Sequence, residues 1–343
     1  MNKKIIYGAI GAIALILITV GYSFYSKIYG SAVKQDATVF IKSNSDLETI
    51  QKNIAPFVNN PDNFHWVAQK KKFTKSKGGK FQIKKGMSMN DLVNLFRSGK
   101  QKTVKVSFNN QDTLEKLAKR ISQQIEADST SLIQSMKNSV FLKNNNFTET
   151  SALGMYIPNS YEFYWNTSAD KFRDKMLREY KKFWNTSRIE KAKKQNLTPQ
   201  EVITLASIVH KETVQKNERP TVAGLYLNRL RNKWPLEADP TIIYAKQQQN
   251  KDMVIKRVLF KYIDETKDSP YNTYKHRGLP PTLIAMPDIS AIDAVLNPQK
   301  HNYFFMCASI DNIGFHEFTH SLAQHNRNAA KYQRWISQRG IRK

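Results

Sequence analysis

Residues 5–25, "IIYGAIGAIALILITVGYSFY", run without a single charged side chain. About 20 apolar residues cross a bilayer as a helix, whereas the apolar part of a secretory signal is usually about 7–15. Tyr22 and Tyr25 suit the far headgroup boundary. Lys3, Lys4 and the terminal amine favour a cytoplasmic tail, residues 1–4, although Lys27 and Lys34 on the other flank oppose that bias. The expectation is a single-pass signal anchor with everything after Ser26 exported. A cleaved signal peptide is the alternative.

The rest of the 343 residues can bury a sizeable core in two or three domains, and 40% hydrophobic with 11% aromatic content belongs to a folded chain. The net charge of +26 is compatible with nucleic acid, an anionic membrane or an acidic polymer. The lysines are scattered, with a local concentration between Lys70 and Lys85, and no nucleic-acid-binding signature accompanies them. A solvated basic surface without a nucleic-acid partner follows. Cys307 is the single cysteine, so no intramolecular disulfide forms.

Along the exported part, "ATVFIK" reads as a strand and "SDLETIQKNI" as a helix opened by a Ser45–Glu48 capping box. "GGKFQIKKGMSMNDLVNLFRSGKQKTVKVSF" reads as strand, helix and strand, with a turn at Gly86, a cap at Ser88 and a stop at Gly99. The helix "DTLEKLAKRISQQI" follows. This compact α/β pattern, placed at 26–127, resembles the LysM-like module that binds glycan chains. The polar, Asn-rich stretch 128–150 reads as a linker. From 151 to 343 the pattern turns helical, through "ADKFRDKMLREYKKFW", "TPQEVITLASIVHKET", "RPTVAGLYLNRL" and "PDISAIDAVLNP". "HNYFFMCAS" and "FHEF" form a hairpin around "IDNIG". The fold class is α+β: an N-terminal transmembrane helix, a small LysM-like α/β module, and a larger, mostly helical domain with short β-hairpins.

The hairpin bears on one motif. His316, Glu317 and His320 spell H-E-x-x-H, which on a helix holds zinc between two histidines with a glutamate as base. On a strand, His316 and Phe318 face opposite to Glu317, and the helix begins only after Thr319 or Ser321, so the i, i+4 geometry is lost. A zinc peptidase remains an alternative function.

A better site lies on the helix after Thr198. Thr198 and Glu201 form a capping box, and Pro199 takes the first helical position. Wound at about 100° per residue, Val202, Ile203, Leu205, Ala206, Ile208 and Val209 form one broad apolar arc, and Glu212 falls between Ile208 and Leu205. A carboxylate there holds its proton near neutral pH, the state a general acid needs. The alternative is a structural carboxylate paired with Arg219 or Arg229. His210, two residues away, faces elsewhere.

"LASIVHKET", "ERPTVAGLYLNRLRNKWPLEADPTIIYA", "SPYNTYKHRGLPPTLIAMPDISAIDAVLNP" and "YFFMCASIDNIGFHEFTHSLAQHN", preceded by "LGMYIPNSYEFYW", resemble the endolytic murein transglycosylase family, YceG-like, in that order. The family's catalytic glutamate, in its A-S-I-x-x-K-E-T run, falls on Glu212. Three positions depart from the family pattern: His210 replaces a glutamate, Asn159 replaces the Asp of a P-D-x-Y turn, and Thr319 with His320 replaces Asn-Thr.

The resemblance implies an extracytoplasmic lytic transglycosylase of the cell (inner) membrane that acts on peptidoglycan glycan strands, needs no cofactor or metal, and contacts cell-wall synthases. It also directs attention to polar groups for sugar binding. Asn272 and Tyr274 either meet N-acetyl and hydroxyl groups or satisfy loop backbone. Asp239 either caps the helix that Pro240 starts or supports a cationic transition state. Thr241 and Tyr244 line the cleft, unless Tyr244 is core. His316 donates to substrate or to Glu212, and Arg229 holds the fold or pairs a carboxylate. A non-catalytic wall-binding scaffold is the remaining rival.

Overall fold

The structure, a computed structural model, describes residues 3–250, 253–255 and 257–339. Met1 and Asn2 of the expected tail, and residues 340–343 at the end of the expected catalytic domain, lie outside the described residues. The expected anchor lies within α1 (Lys3–Tyr29), which is long and apolar enough to cross a membrane and buries none of its residues.

The chain forms two compact units: Met1–Val106 with Ile121–Asp128 and Tyr161–Ser168, and the remainder. In the first, β1 (Ala37–Ile41) leads to α2 (Leu47–Ile54) and α3 (Asp62–Lys70). The chain then returns as β2 (Gly79–Ile83), antiparallel to β1 with Val39 opposite Phe81, and continues into α4 (Met89–Ser98). Alternation along the strands turns Val39, Ile41, Phe81 and Ile83 inward. There Phe96 meets Phe64 and Phe81 edge to face, at centroid distances of 5.9 and 5.1 Å.

Gly86 has positive φ, α4 opens with a Ser88–Asp91 capping box, and the left-handed Gly99 ends it. The α2 cap differs from expectation. Asp46 accepts the Thr49 N–H at 2.8 Å, because the Ser45 backbone is engaged with Ser76. The strands expected around α4 belong to different ladders: β2 pairs β1, whereas β3 (Thr103–Phe108) pairs β4 (Asn159–Tyr164), more than 50 residues on.

The second unit contains most of α5 (Leu114–Ser122), up to Arg120, together with α6 (Ser129–Met136) and α7 (Ser139–Asn144). The stretch read as a linker, 128–150, thus carries two helices, and it buries Leu132, Met136, Leu142 and Phe147. Next come α8 (Ala169–Phe183), α9 (Thr186–Lys194), α10 (Pro199–Glu212) and α11 (Arg219–Arg231). After α12 (Asp239–Gln249), α13 (Phe260–Glu265) and α14 (Ile289–Leu296), the hairpin of β5 (Phe305–Ala308) and β6 (His316–Thr319) precedes α15 (Leu322–Gln338).

α10 is the central helix of this unit. Residues 202–209 are all buried, packed against α14 and α11. Each fully buried Val, Leu or Ile contributes about 1.5–3 kcal/mol. Ser207 donates to the Thr204 carbonyl and accepts the Ile284 N–H, so its hydroxyl is satisfied inside the core. Gly224 lets α11 meet the chain after α14: a Cβ there would stand 2.5 Å from the Gln299 carbonyl oxygen. At the start of α11, Arg219 donates to Asp288, the cap of α14, and so locks the two helices together.

Candidate active site

The Thr198 box and Pro199 start α10 at a fixed point, and fourteen residues later the helix ends at Glu212, with Thr213 already extended. The core-facing stripe therefore delivers a carboxyl to the helix end, where α10 opens onto a cavity of about 690 Å³. Glu212 Oε2 has no solvent contact and no hydrogen-bond partner among the described residues.

Burial pushes the Glu212 carboxyl up to about 7. His316 opposes this, Asp239 adds to it, and the Tyr226 hydroxyl and Arg229 pull back more weakly. The helix end reinforces the shift, because the negative pole of the helix dipole disfavours a second negative charge. Neither arginine considered as a partner pairs with Glu212. Arg219 is committed to Asp288, and Arg229 donates to Glu237 at 2.7 Å and to the carbonyls of Phe304, Pro235 and Leu236.

His316 enters the same cavity from β6. Its backbone N–H donates to Glu218 Oε1 at 2.6 Å and its Nδ1 to Oε2 at 3.0 Å, so one buried carboxylate fixes both ring and strand. Burial works against the imidazolium, but Glu218 and then Glu212 outweigh it and hold the His316 pKa above its usual value. Burial likewise opposes charge on Glu218, and the His316 bonds bring its pKa below the usual carboxylate value. With Nδ1 committed, Nε2 is the ring nitrogen left for the cavity.

On another wall, the Tyr274 hydroxyl donates to Asp239 Oδ1 at 2.6 Å. Burial raises the Asp239 pKa, with the Tyr274 bond opposing it. Asp239 is the first residue of α12 rather than its cap, since the preceding Ala238 takes that place without a side-chain bond. Trp234 and Phe305 add aromatic surface at 5.8 Å from each other, and His325 stacks on Phe305.

Of the residues expected at the site, Glu212, Asp239, Tyr274, His316 and Arg229 line this one cavity. Three do not. Asn272 is fully buried: its amide donates to the Ile263 carbonyl and Thr266, and its oxygen accepts the N–H groups of Tyr274 and Lys275. That is the loop-satisfying alternative. Thr241 is buried against Ala238 and Thr273. Tyr244 lines a separate cavity of about 270 Å³ and packs on Tyr271. Glu218, Tyr226, Glu237 and Trp234 were not anticipated. The acid of "NERP" beside a proline-started helix was a visible signal for Glu218, whereas its partner lies 98 residues away.

The H-E-x-x-H residues do not form a helical pair. His316 and Glu317 alternate on β6, Glu317 accepts from Ser309, and His320 is exposed beyond the strand. No group of three His, Cys, Asp or Glu is placed to hold a metal ion among the described residues.

A carboxyl that keeps its proton near pH 7 at a cavity wall, beside an imidazole held by a buried carboxylate, is the arrangement of an acid–base centre. This chain belongs to the YceG-like family, whose model matches residues 39–331. A Bacillus subtilis protein named endolytic murein transglycosylase is 27% identical over 92% of this chain and 91% of its own length. A Streptococcus pneumoniae protein of the same name is also 27% identical, over 91% of this chain, which spans 62% of that longer relative. The crystal structure of a YceG-like protein from Listeria monocytogenes covers 85% of this chain and 98% of its own, with a TM-score of 0.57 and 24% identity, a likeness of fold.

Proposed function

We propose that this protein is a membrane-anchored endolytic murein transglycosylase, with Glu212 as its acid and then its base. The carrying observation is the Glu212 carboxyl, protonated near neutrality and with an unpartnered oxygen, at a cavity of about 690 Å³ in a YceG-like chain. The substrate is the β-1,4 bond between N-acetylmuramic acid and N-acetylglucosamine within a glycan strand.

The Glu212 proton passes to the glycosidic oxygen as the bond from that oxygen to the muramyl C1 breaks, leaving an oxocarbenium-like sugar. The Glu212 carboxylate then takes the proton of the muramyl 6-hydroxyl while O6 bonds to C1. A 1,6-anhydro ring closes without water, and the carboxyl is restored. One carboxylate that reverses its role suffices, unlike the two-carboxylate hydrolases. Asp239, oriented by Tyr274, supports the cationic stage. His316 supports the ionised Glu212 between the two proton transfers. Trp234 and Phe305 offer apolar faces to sugar rings. α1 crosses the cell membrane with its N-terminus cytoplasmic, so that the rest of the chain is extracytoplasmic.

The test is digestion of purified peptidoglycan by the full chain in detergent, with mass spectrometry of the ends. Anhydro-ended fragments should form in the presence of a chelator and fall by about 10²–10⁴ in Glu212→Gln. Wild-type activity should decline as pH rises through about 7, where Glu212 loses its proton. Hydrated reducing ends would mean a hydrolase, chelator-sensitive loss would restore the zinc peptidase, and binding without product would leave a scaffold.

A further inference from the structure

α1 does not end in open space. Ile28, Trp66 and Leu95 pack against the core of the first unit, so the last turn of α1 is seated on α3 and α4. Phe24 stacks on Trp66 of α3, with ring centroids 5.8 Å apart. A cation lies near each ring: Lys27 Nζ is 5.8 Å from the Phe24 centroid, and Lys70 Nζ is 5.9 Å from that of Trp66.

Depth follows from length. At about 1.5 Å per residue, residues 5–25 cover about 31 Å, which matches a hydrocarbon core of about 30 Å. Phe24 then reaches the outer edge of the hydrocarbon, and Trp66, stacked on it, shares that level. The boundary is where tryptophan is enriched. Lys27 lies almost one turn farther out, at the level of the phosphates, and Lys70 lies one turn beyond Trp66 on α3. Among the described residues neither lysine has a carboxylate within ion-pair distance. The acid of α3, Asp62, stands at the other end of that helix and accepts from Gln51.

We propose that the α3 face carrying Trp66 and Lys70 is a second membrane contact, which docks the first unit on anionic lipid headgroups beside the anchor. This rests on the reading of α1 as a membrane-spanning helix. The indole sits among the upper acyl carbons, and Lys27 and Lys70 share the headgroup phosphates. Charge complementarity and continuity with the anchor both favour lipid over a protein partner on this face.

The test uses the full chain reconstituted in vesicles whose acyl chains are brominated near the headgroup. Wild-type tryptophan fluorescence should be quenched, and Trp66→Phe should lose most of that quenching. Leu15→Trp, in the middle of α1, reports separately on the anchor through lipids brominated deep in the chain. Quenching at 15 with none attributable to 66 overturns the docking and leaves the anchor standing. No quenching at either position overturns both. Charge is read by acylation of Lys70 followed by peptide mass spectrometry. Lys70 should react several-fold more slowly in phosphatidylglycerol vesicles than in phosphatidylcholine. Equal rates would overturn the anionic choice.

Discussion

Glu212 shows what one carboxyl costs the fold that holds it. Its folded pKa of about 7 lies above the ordinary glutamate value, so the folded state binds a proton that the unfolded chain releases. The penalty is absent below about pH 4, grows as pH rises between the two values, and is complete above pH 7, at no more than about 4 kcal/mol. Glu212→Gln should therefore be more stable than wild type at pH 8 in urea melts, with the difference closing towards pH 4. A constant difference across that range would contradict a raised pKa. Glu212 was legible in the sequence because helical periodicity exposes a misplaced charge. Asn272 misled, because an amide in a polar loop looks available until the buried backbone groups it serves are known. The Glu218–His316 pair joins residues 98 apart, and no local pattern encodes such a contact.

At the scale of elements, α10, α14 and α15 were readable from their own signals. Thr198, Pro199 and Glu201 start α10, Asp288 caps α14, and Ser321 caps α15. The β5–β6 hairpin was readable for the same reason, since its turn chemistry is local. Strand pairing over longer distances was not: β4 was not foreseen, and neither were the partners of β2 and β3. The helices of 128–150 were obscured by polar composition, although Leu132, Met136 and Leu142 supply buried anchors. The approach of α11 to the chain around Gln299 was equally hidden, because a helical glycine does not announce its neighbour. Gly224→Ala would place a Cβ against backbone, which cannot swing aside as a side chain can. It should destabilise by about 1–3 kcal/mol, visible as a lower urea midpoint at unchanged slope.

At the scale of the molecule, the sequence separated an apolar helix from two folded parts, but the units are not consecutive along the chain. Each is assembled from three separate segments of the chain, a division that composition does not mark. The +26 charge suits work beside anionic headgroups and a carboxylate-bearing polymer. The proposed topology predicts that protease added outside intact spheroplasts digests the chain beyond residue 29, while a tag at the N-terminus survives until lysis. Digestion of the tag alone would reverse the orientation. Ile28 packs, partly buried, against the first unit's core, and only residues 30–36 lie between α1 and β1. A body on a long leash would explore a wide hemisphere above its post, whereas this first unit is fixed to the post itself. With α1 in a bilayer, that unit keeps one altitude, in the layer just above the lipid.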